Sequence, residues 1–551
     1  MHRHKYNLVL DAALWLLAGG LLLLAWAGLW WFANEQQRGI TWAAPTQAIP
    51  WTDIPQGGVN LPSLHFEQPD VISRTLDTAQ AAGFRWIRVQ FPWEDLEIHG
   101  KGDFRDFRHD YNGDGATNEA DAISAWTKYD GIVAAARARN LELIVRLDRP
   151  PTWARQNLPQ EPFRVAAREQ DPGATGPPDN YADYGDYVAA VVGRYRGNVR
   201  FFQIWNEPNL GHEWNWADSN PADFVELLRI GFTRAKAANP TAVILFPSLS
   251  PADGLDWRAM SDLVFLQRVY ELGGGRYFDI FTAQQYGLGQ PPSENRYVRP
   301  VYNEYGQIRT DLLWSRPLDS RTDITRVLLL REIMEQHGDS NKAVWISEFG
   351  WNSNPGPHSF GVPVSEQQKA QYAVELMTRA RREWPWLGVM NLWFLRAGAG
   401  FNPADPTVDF QLVREDWTEL PAYAAVRGYL LAPPVVGPGV YSAQHHAVQR
   451  DDAGGLKLRF WGTAIQARDV IGTISVDGQV VGTNAASITV ENLPLGEHVL
   501  HLTGGDVGEI RVSRANRLRP LWVVAPFGLL LALIVVAYRF LIAITRTFAD
   551  D

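Results

Sequence analysis

Two short stretches of the chain end strand-forming runs on carboxylates. In "RFFQIWNEPNLGHEWNW", residues 200–216, the run closes on Asn206-Glu207-Pro208 among three tryptophans. In "AVWISEFGWNS", residues 343–353, a second run carries Glu348 close to its end. Two carboxyl groups that face one cleft from two strand ends can break a glycosidic bond. One gives a proton to the leaving oxygen, and the other attacks the sugar or activates water. A lone Glu at a strand end is most often a solvated loop carboxylate. A pair in matching contexts favours catalysis.

Such a pair needs a scaffold that brings strand ends together. Candidate strands occupy residues 58–63, 85–91, 141–147, 199–205, 242–248, 279–286, 343–349 and 388–395. Most read as near-continuous apolar runs, as strands covered on both faces do. Amphipathic stretches such as "YDGIVAAARARN", "FVELLRIGFTRAKAAN" and "QQKAQYAVELMTRARRE" lie between them, with apolar residues three and four apart. Eight strand–helix units predict a (β/α)8 TIM barrel over residues 55–433, with its active face at the carboxyl ends of the strands. The alternative, an open doubly wound sheet, would want a Gly-rich phosphate loop after the first strand, and none is there. Glu207 and Glu348 then end strands four and seven. Asn206 is placed to hold a sugar 2-hydroxyl, a contact that strengthens in the transition state.

The "WNEP" at 205–208, the "SEFGW" at 347–351 and the eightfold alternation resemble a retaining clan A glycoside hydrolase. "RPPTWA" after strand three and "QLVREDWTELPAYAAV" at 411–426 make families 39 and 5 the nearest in pattern. The resemblance implies Glu207 as acid/base and Glu348 as nucleophile. It also implies Arg88 and Tyr286 as partners of the nucleophile and Trp393 as the platform under the sugar. One position departs from the pattern. Related enzymes often carry His two positions before the strand-six Tyr, whereas this chain reads Gln284-Gln285-Tyr286. Trp93, Trp153, Trp214, Trp216 and Trp351 fall in loops expected above the barrel; Trp93, Trp153 and Trp351 are taken as further substrate contacts.

"DYNGDGATNEAD", residues 110–121, sets oxygen-bearing side chains at loop positions 1, 3, 5, 9 and 12 with Gly115 at position 6. That is the spacing of an EF-hand calcium loop, and it resembles the dockerin version, whose twelfth position is also Asp. Asp110, Asn112, Asp114, the Ala116 carbonyl, Asn118 and Asp121 would supply a structural calcium ion. The other reading is an Asn/Asp/Gly-rich turn that binds nothing. No cofactor is expected for catalysis.

Composition bounds the rest. The 551 residues carry a net charge of −10, 46% hydrophobic residues, 23 Trp and no Cys. An acidic chain without a basic stripe argues against nucleic acid, and disulfides and Cys-ligated metals are excluded. Residues 12–33 form an apolar segment after a basic cytoplasmic N-terminus (1–11), and residues 520–543 form a second before a short tail (544–551); each is long enough to span a bilayer. A signal peptide cleaved near Ala25-Trp26-Ala27 is the rival reading of the first. Either way the intervening domain is exported, which predicts a cell-membrane protein with an extracytoplasmic catalytic domain. Arg511, Arg514, Arg517 and Arg519 precede the second segment and oppose a simple charge rule for its orientation. Residues 34–54 read as a linker. Residues 436–515 alternate in period two with turn signals and predict a small β-sandwich.

The expected function is hydrolysis of O-glycosidic bonds in a poly- or oligosaccharide by double displacement. The alternatives are a weakly active or inactive glycan-binding barrel, and transglycosylation by the same residues. Nothing in the chain points to a protein partner.

Overall fold

The computed structural model describes residues 17, 19–31, 33, 37–171, 173–293, 324–354, 362–402, 404–515 and 519–549. The expected N-terminal cytoplasmic segment 1–11 and Arg517 lie outside the described residues.

All eight expected barrel strands form, each within a few residues of its predicted bounds. They are β1 (Gly57–Asn60), β2 (Trp86–Gln90), β3 (Glu142–Leu147), β4 (Phe201–Ile204), β5 (Val243–Leu245), β6 (Phe281–Tyr286), β7 (Val344–Gly350) and β8 (Leu387–Leu392). They pair in parallel in the order β5-β4-β3-β2-β1-β8-β7-β6. Parallel bridges Leu245–Ile280 and Leu249–Ala283 bring β5 to β6, and Phe246 N–H donates to the Ile280 carbonyl at 2.9 Å. The sheet thereby returns on itself as a (β/α)8 barrel.

Local chemistry explains where the outer helices begin. Pro221–Ala238 starts with Pro at its first position, behind Asn220, whose side chain accepts from Ala222 N–H. Glu366–Glu383 starts with a capping box of Ser365 and Gln368. The first packs against β4 and the second against β8, and β7 is buried along its whole length. The barrel interior, however, is polar near the active end. Asn60, Arg88, Gln203, Ser248 and Ser347 are all at most 3% exposed. Buried polar groups at that density hold only when hydrogen-bonded. Gln203 Nε2 donates to Ser248 Oγ at 3.2 Å, and Ser248 bonds Ser347 in turn.

Residues 435–513 form one antiparallel-rich eight-stranded sheet in which the long strand Ala464–Val476 pairs with three others. The sheet folds over its own core of Leu456, Leu458, Phe460, Ile474, Leu500, Leu502 and Ile510. The expected sandwich is thus a single continuous sheet wrapped around its apolar side. It meets the barrel through Arg382, whose guanidinium lies 3.8 Å from the Trp461 ring centroid, and the linker through Asp53, which accepts from His446 N–H at 2.9 Å.

At the C-terminus one helix, Arg519–Ala549, contains the window Ala525–Ile542 of mean hydropathy 2.2 with none of it buried. It is long and apolar enough to cross a membrane. Of the expected first span, 12–33, the described residues form an apolar helix over Gly19–Trp31, and residues 12–16, 18 and 32 lie outside the described ones. The two helices touch: a Cβ placed on Gly19 would lie 2.9 Å from Leu533 Cδ2.

Candidate active site

The site is built around Glu348. β7 turns its carboxylate inward, where only 6% of the side chain is exposed. It accepts three hydrogen bonds: from Arg88 Nη1 at 2.8 Å, from Tyr286 OH at 2.7 Å and from Gln284 Nε2 at 3.3 Å. Arg88 is itself fixed by Gln203 Oε1 and Asn60 Oδ1, both at 2.8 Å, and by Asn206 Oδ1 at 3.2 Å. A guanidinium held on four sides is a charge with one orientation. Burial, and after it the Glu348 charge, pushes the Tyr286 hydroxyl well above its ordinary pKa, so it serves as a donor only.

Glu207 reaches the same space by a sharp turn. Trp205 and Glu207 both take left-handed backbone, with φ of 64° and 36°. Non-glycine residues held there are costly, by about 1–3 kcal/mol each, and tend to mark functional sites. The turn is held by Glu207 N–H to the Ser248 carbonyl and by Leu210 N–H to the Glu207 carbonyl, both at 2.9 Å. Burial foremost, and then the charges of Glu348 and Glu213, push the Glu207 pKa up from 4.5 to about 7, with Gln284 and His212 opposing. The Gln284 amide therefore bonds one acid and bears on the other.

The cleft between the two acids encloses about 1010 Å³ and is lined in part by Glu207, Glu348, Tyr286, Trp393, His212 and Glu213. A second hollow of about 540 Å³ shares Arg149 with it. Asn206, Arg88, Tyr286 and Trp393 thus gather around the pair, as their strand positions imply. Three expected substrate contacts do not. Trp93 is wholly buried, stacked on Tyr187 at 5.3 Å with its indole N–H on Glu97. Trp153 lies behind it, edge to face at 5.6 Å, and donates to the Glu97 carbonyl at 2.8 Å. Trp351, 1% exposed, donates to the Gln290 carbonyl at 2.7 Å beneath Gly287. All three are packing residues of folded-back loops. Trp214 is likewise buried, against Trp205 at 5.9 Å, and Trp216 packs on Trp257 at 5.7 Å.

Sequence reasoning passed over Glu213, His212 and Gln284 as site residues. Glu213 and His212 stand in the same Trp-rich stretch as Glu207, and their only signal was proximity. Gln284 was visible as a departure from a family pattern, without a role.

The acidic loop lies between β2 and β3, where the strand pair Arg105–Asp106 and Ile123–Ser124 closes its base. Carboxylate oxygens of Asp110, Asp114 and Asp121 lie within 4.8 Å of one another. Asp110 accepts from the backbone of Gly113 and Gly115 at 2.6 and 2.8 Å, and Gly115 has φ +86°. Asn112 Oδ1 accepts from Asp114 N–H, and Asn118 caps Ala120. The donor set is all oxygen with at least three convergent carboxylates, which fits a hard cation such as calcium.

No family model and no curated protein matches this chain. Among solved structures, a family 39 glycoside hydrolase from Bacteroides cellulosilyticus is 18% identical, with 84% of this chain and 83% of that chain covered and a TM-score of 0.48. A family 39 β-xylosidase from Caulobacter crescentus is 15% identical over 83% and 98%, with a TM-score of 0.47. A GH5 enzyme from Streptomyces cattleya is 15% identical over 68% and 80%, at 0.44. These structural neighbours are glycoside hydrolases, and at such identities and scores the likeness is one of distant architecture.

Proposed function

We propose that the chain is a retaining glycoside hydrolase acting on a poly- or oligosaccharide. One observation carries the reading: a buried carboxylate clamped by Arg88, Tyr286 and Gln284 shares its cleft with a second carboxyl whose pKa is raised to about 7. The raised pKa suits Glu207 to the role of acid, and the three donors on Glu348 orient it as the nucleophile. Gln284 donates to Glu348 and also bears on Glu207, so one side chain lies beside both acids, as the close pair of a retaining enzyme needs.

Glu348 attacks the anomeric carbon while Glu207 gives its proton to the leaving oxygen, so a glycosyl ester forms as the glycosidic bond breaks. Glu207, now ionised, takes a proton from water; the hydroxide attacks the same carbon and releases Glu348 as carboxylate. Asn206 holds the 2-hydroxyl and Trp393 offers its face to the ring. A cleft of about 1010 Å³ exceeds the needs of one sugar ring, and the hollow beyond Arg149 lengthens it.

The apolar C-terminal helix supports a membrane-anchored enzyme, and we place the barrel on the extracytoplasmic side by the reading of the N-terminal segment. Asp110, Asn112, Asp114, Ala116, Asn118 and Asp121 would hold calcium as a structural staple with no step in the reaction.

A panel of aryl glycosides and surface polysaccharides tests the function. Turnover lost in Glu348→Gln and in Glu207→Ala, with azide restoring Glu207→Ala and giving a glycosyl azide of retained configuration, supports retention. Binding without turnover, indifferent to either change, leaves a glycan-binding barrel instead; disaccharide products longer than the donor mark transglycosylation.

A further inference from the structure

Glu213 is a third carboxyl in the cleft, and double displacement needs only two. It lies on the loop after β4 and is 7% exposed. Its Oε1 accepts from Asn206 Nδ2 at 2.9 Å. Its Oε2 is shielded from solvent and has no hydrogen-bond partner among the described residues. A buried carboxyl oxygen left unpaired keeps the cost of its lost hydration, and in a cleft that cost calls for an explanation. Holding Asn206 is not one, because Oε1 alone does that.

We propose that Glu213 determines sugar specificity: its Oε2 takes one hydroxyl of the sugar seated against Glu207, while its Oε1 fixes the Asn206 amide. The inference rests on the glycosidase reading and names a contact within that site. Burial raises the Glu213 pKa, with His212 and then Arg146 opposing. A carboxyl oxygen accepts from a hydroxyl when ionised and can donate to one when protonated, so it suits a group that both donates and accepts. Both neighbours line the same cleft. His212 is turned toward Asp171 through Nδ1, and Arg146 Nε lies 2.7 Å from Asp148 Oδ2. Neither donates to Glu213.

The test uses the full chain in detergent with the p-nitrophenyl glycoside that it turns over, together with the singly deoxygenated versions of that glycoside. Wild type is compared with Glu213→Ala and Glu213→Gln. On the parent glycoside we expect kcat/KM to fall roughly 10- to 100-fold in Glu213→Ala. On one deoxy glycoside the same substitution should change kcat/KM by no more than about 2-fold, because the contact it removes is already gone. Glu213→Gln keeps an acceptor for Asn206 and should show the same dependence on that one hydroxyl, so it carries the test if the Ala variant does not fold. An equal fall on every glycoside, parent and deoxy, overturns the inference and makes Glu213 a support for Asn206 alone. Turnover that Glu348→Gln abolishes keeps the active site standing in that case; no turnover of any glycoside by wild type removes both.

Discussion

At the scale of the residue, the arrangement stands on the proton of Glu207. With a pKa of about 7 against an ordinary 4.5, Glu207 holds its proton below neutral pH and is lost as an acid above it. The basic limb of kcat/KM should therefore fall through about pH 7, read from initial rates across pH 5–9. The same shift has a consequence for stability. The folded-state pKa is raised, so the protonated form is the one the fold favours. Its contribution is whole below about 4.5, declines as pH rises and is gone above about 7. Glu207→Gln, which removes the ionisation, should match wild type near pH 4 and exceed it by roughly 3 kcal/mol at pH 8. Denaturant melts at the two pH values decide it: an equal difference at both would place the effect in packing and not in the charge. Arg88 bears on the other acid. Lysine there would keep the charge but lose the fork that reaches Gln203, Asn60 and Asn206, and Arg88→Lys should lower kcat by about 10²-fold with kcat/KM following it.

At the scale of the element, the eight strands were legible because a strand buried on both faces writes itself as an apolar run. Glu207 and Glu348 were legible because they interrupt such runs at their ends. The tryptophans were not. A Trp in a loop after a strand looks the same in sequence whether the loop opens to solvent or folds back over the barrel. Trp93 and Trp351 fold back. Glu213 was missed for a related reason, since nothing in the spacing tells a loop carboxyl in the cleft from one at the rim. The acidic loop was legible as a pattern, and its tie to the barrel was not. Arg108, just before that loop, bonds Asp106 at 2.8 Å and Asp95 at 2.6 Å, and Asp95 also takes the Tyr129 hydroxyl at 2.5 Å. If calcium sets the loop, adding it to chelator-treated protein should raise the melting temperature, terbium luminescence should report the site, and Asp110→Ala should abolish both responses. A melting temperature indifferent to calcium and chelator would reduce the loop to a hydrogen-bonded turn.

At the scale of the whole molecule, residues 42–46 and 511–514 come together. Arg514 N–H donates to the Trp42 carbonyl at 2.7 Å and its guanidinium lies 4.8 Å from the Trp42 ring centroid. Arg511 reaches the Pro45 and Thr46 carbonyls at 3.3 and 3.0 Å. These arginines, which by charge alone oppose the expected orientation of the C-terminal helix, are occupied in binding the N-terminal linker. Orientation rules count positive charge in short loops near a span, because long domains translocate largely regardless of it; here the charge serves a staple. Gly19 lies against Leu533 as well, so the two apolar helices meet. The full chain should then sediment with membranes and be released by detergent but not by high salt, since apolar anchoring is insensitive to screening. A chain cut to residues 37–515 keeps the linker on both sides of the staple and should be soluble, with kcat/KM unchanged on a small glycoside. Protease added to intact cells or spheroplasts should reach the barrel if it is extracytoplasmic, and barrel protection until lysis would reverse the orientation. Release of the full chain by salt alone would make the C-terminal helix a surface element and end the case for a membrane anchor.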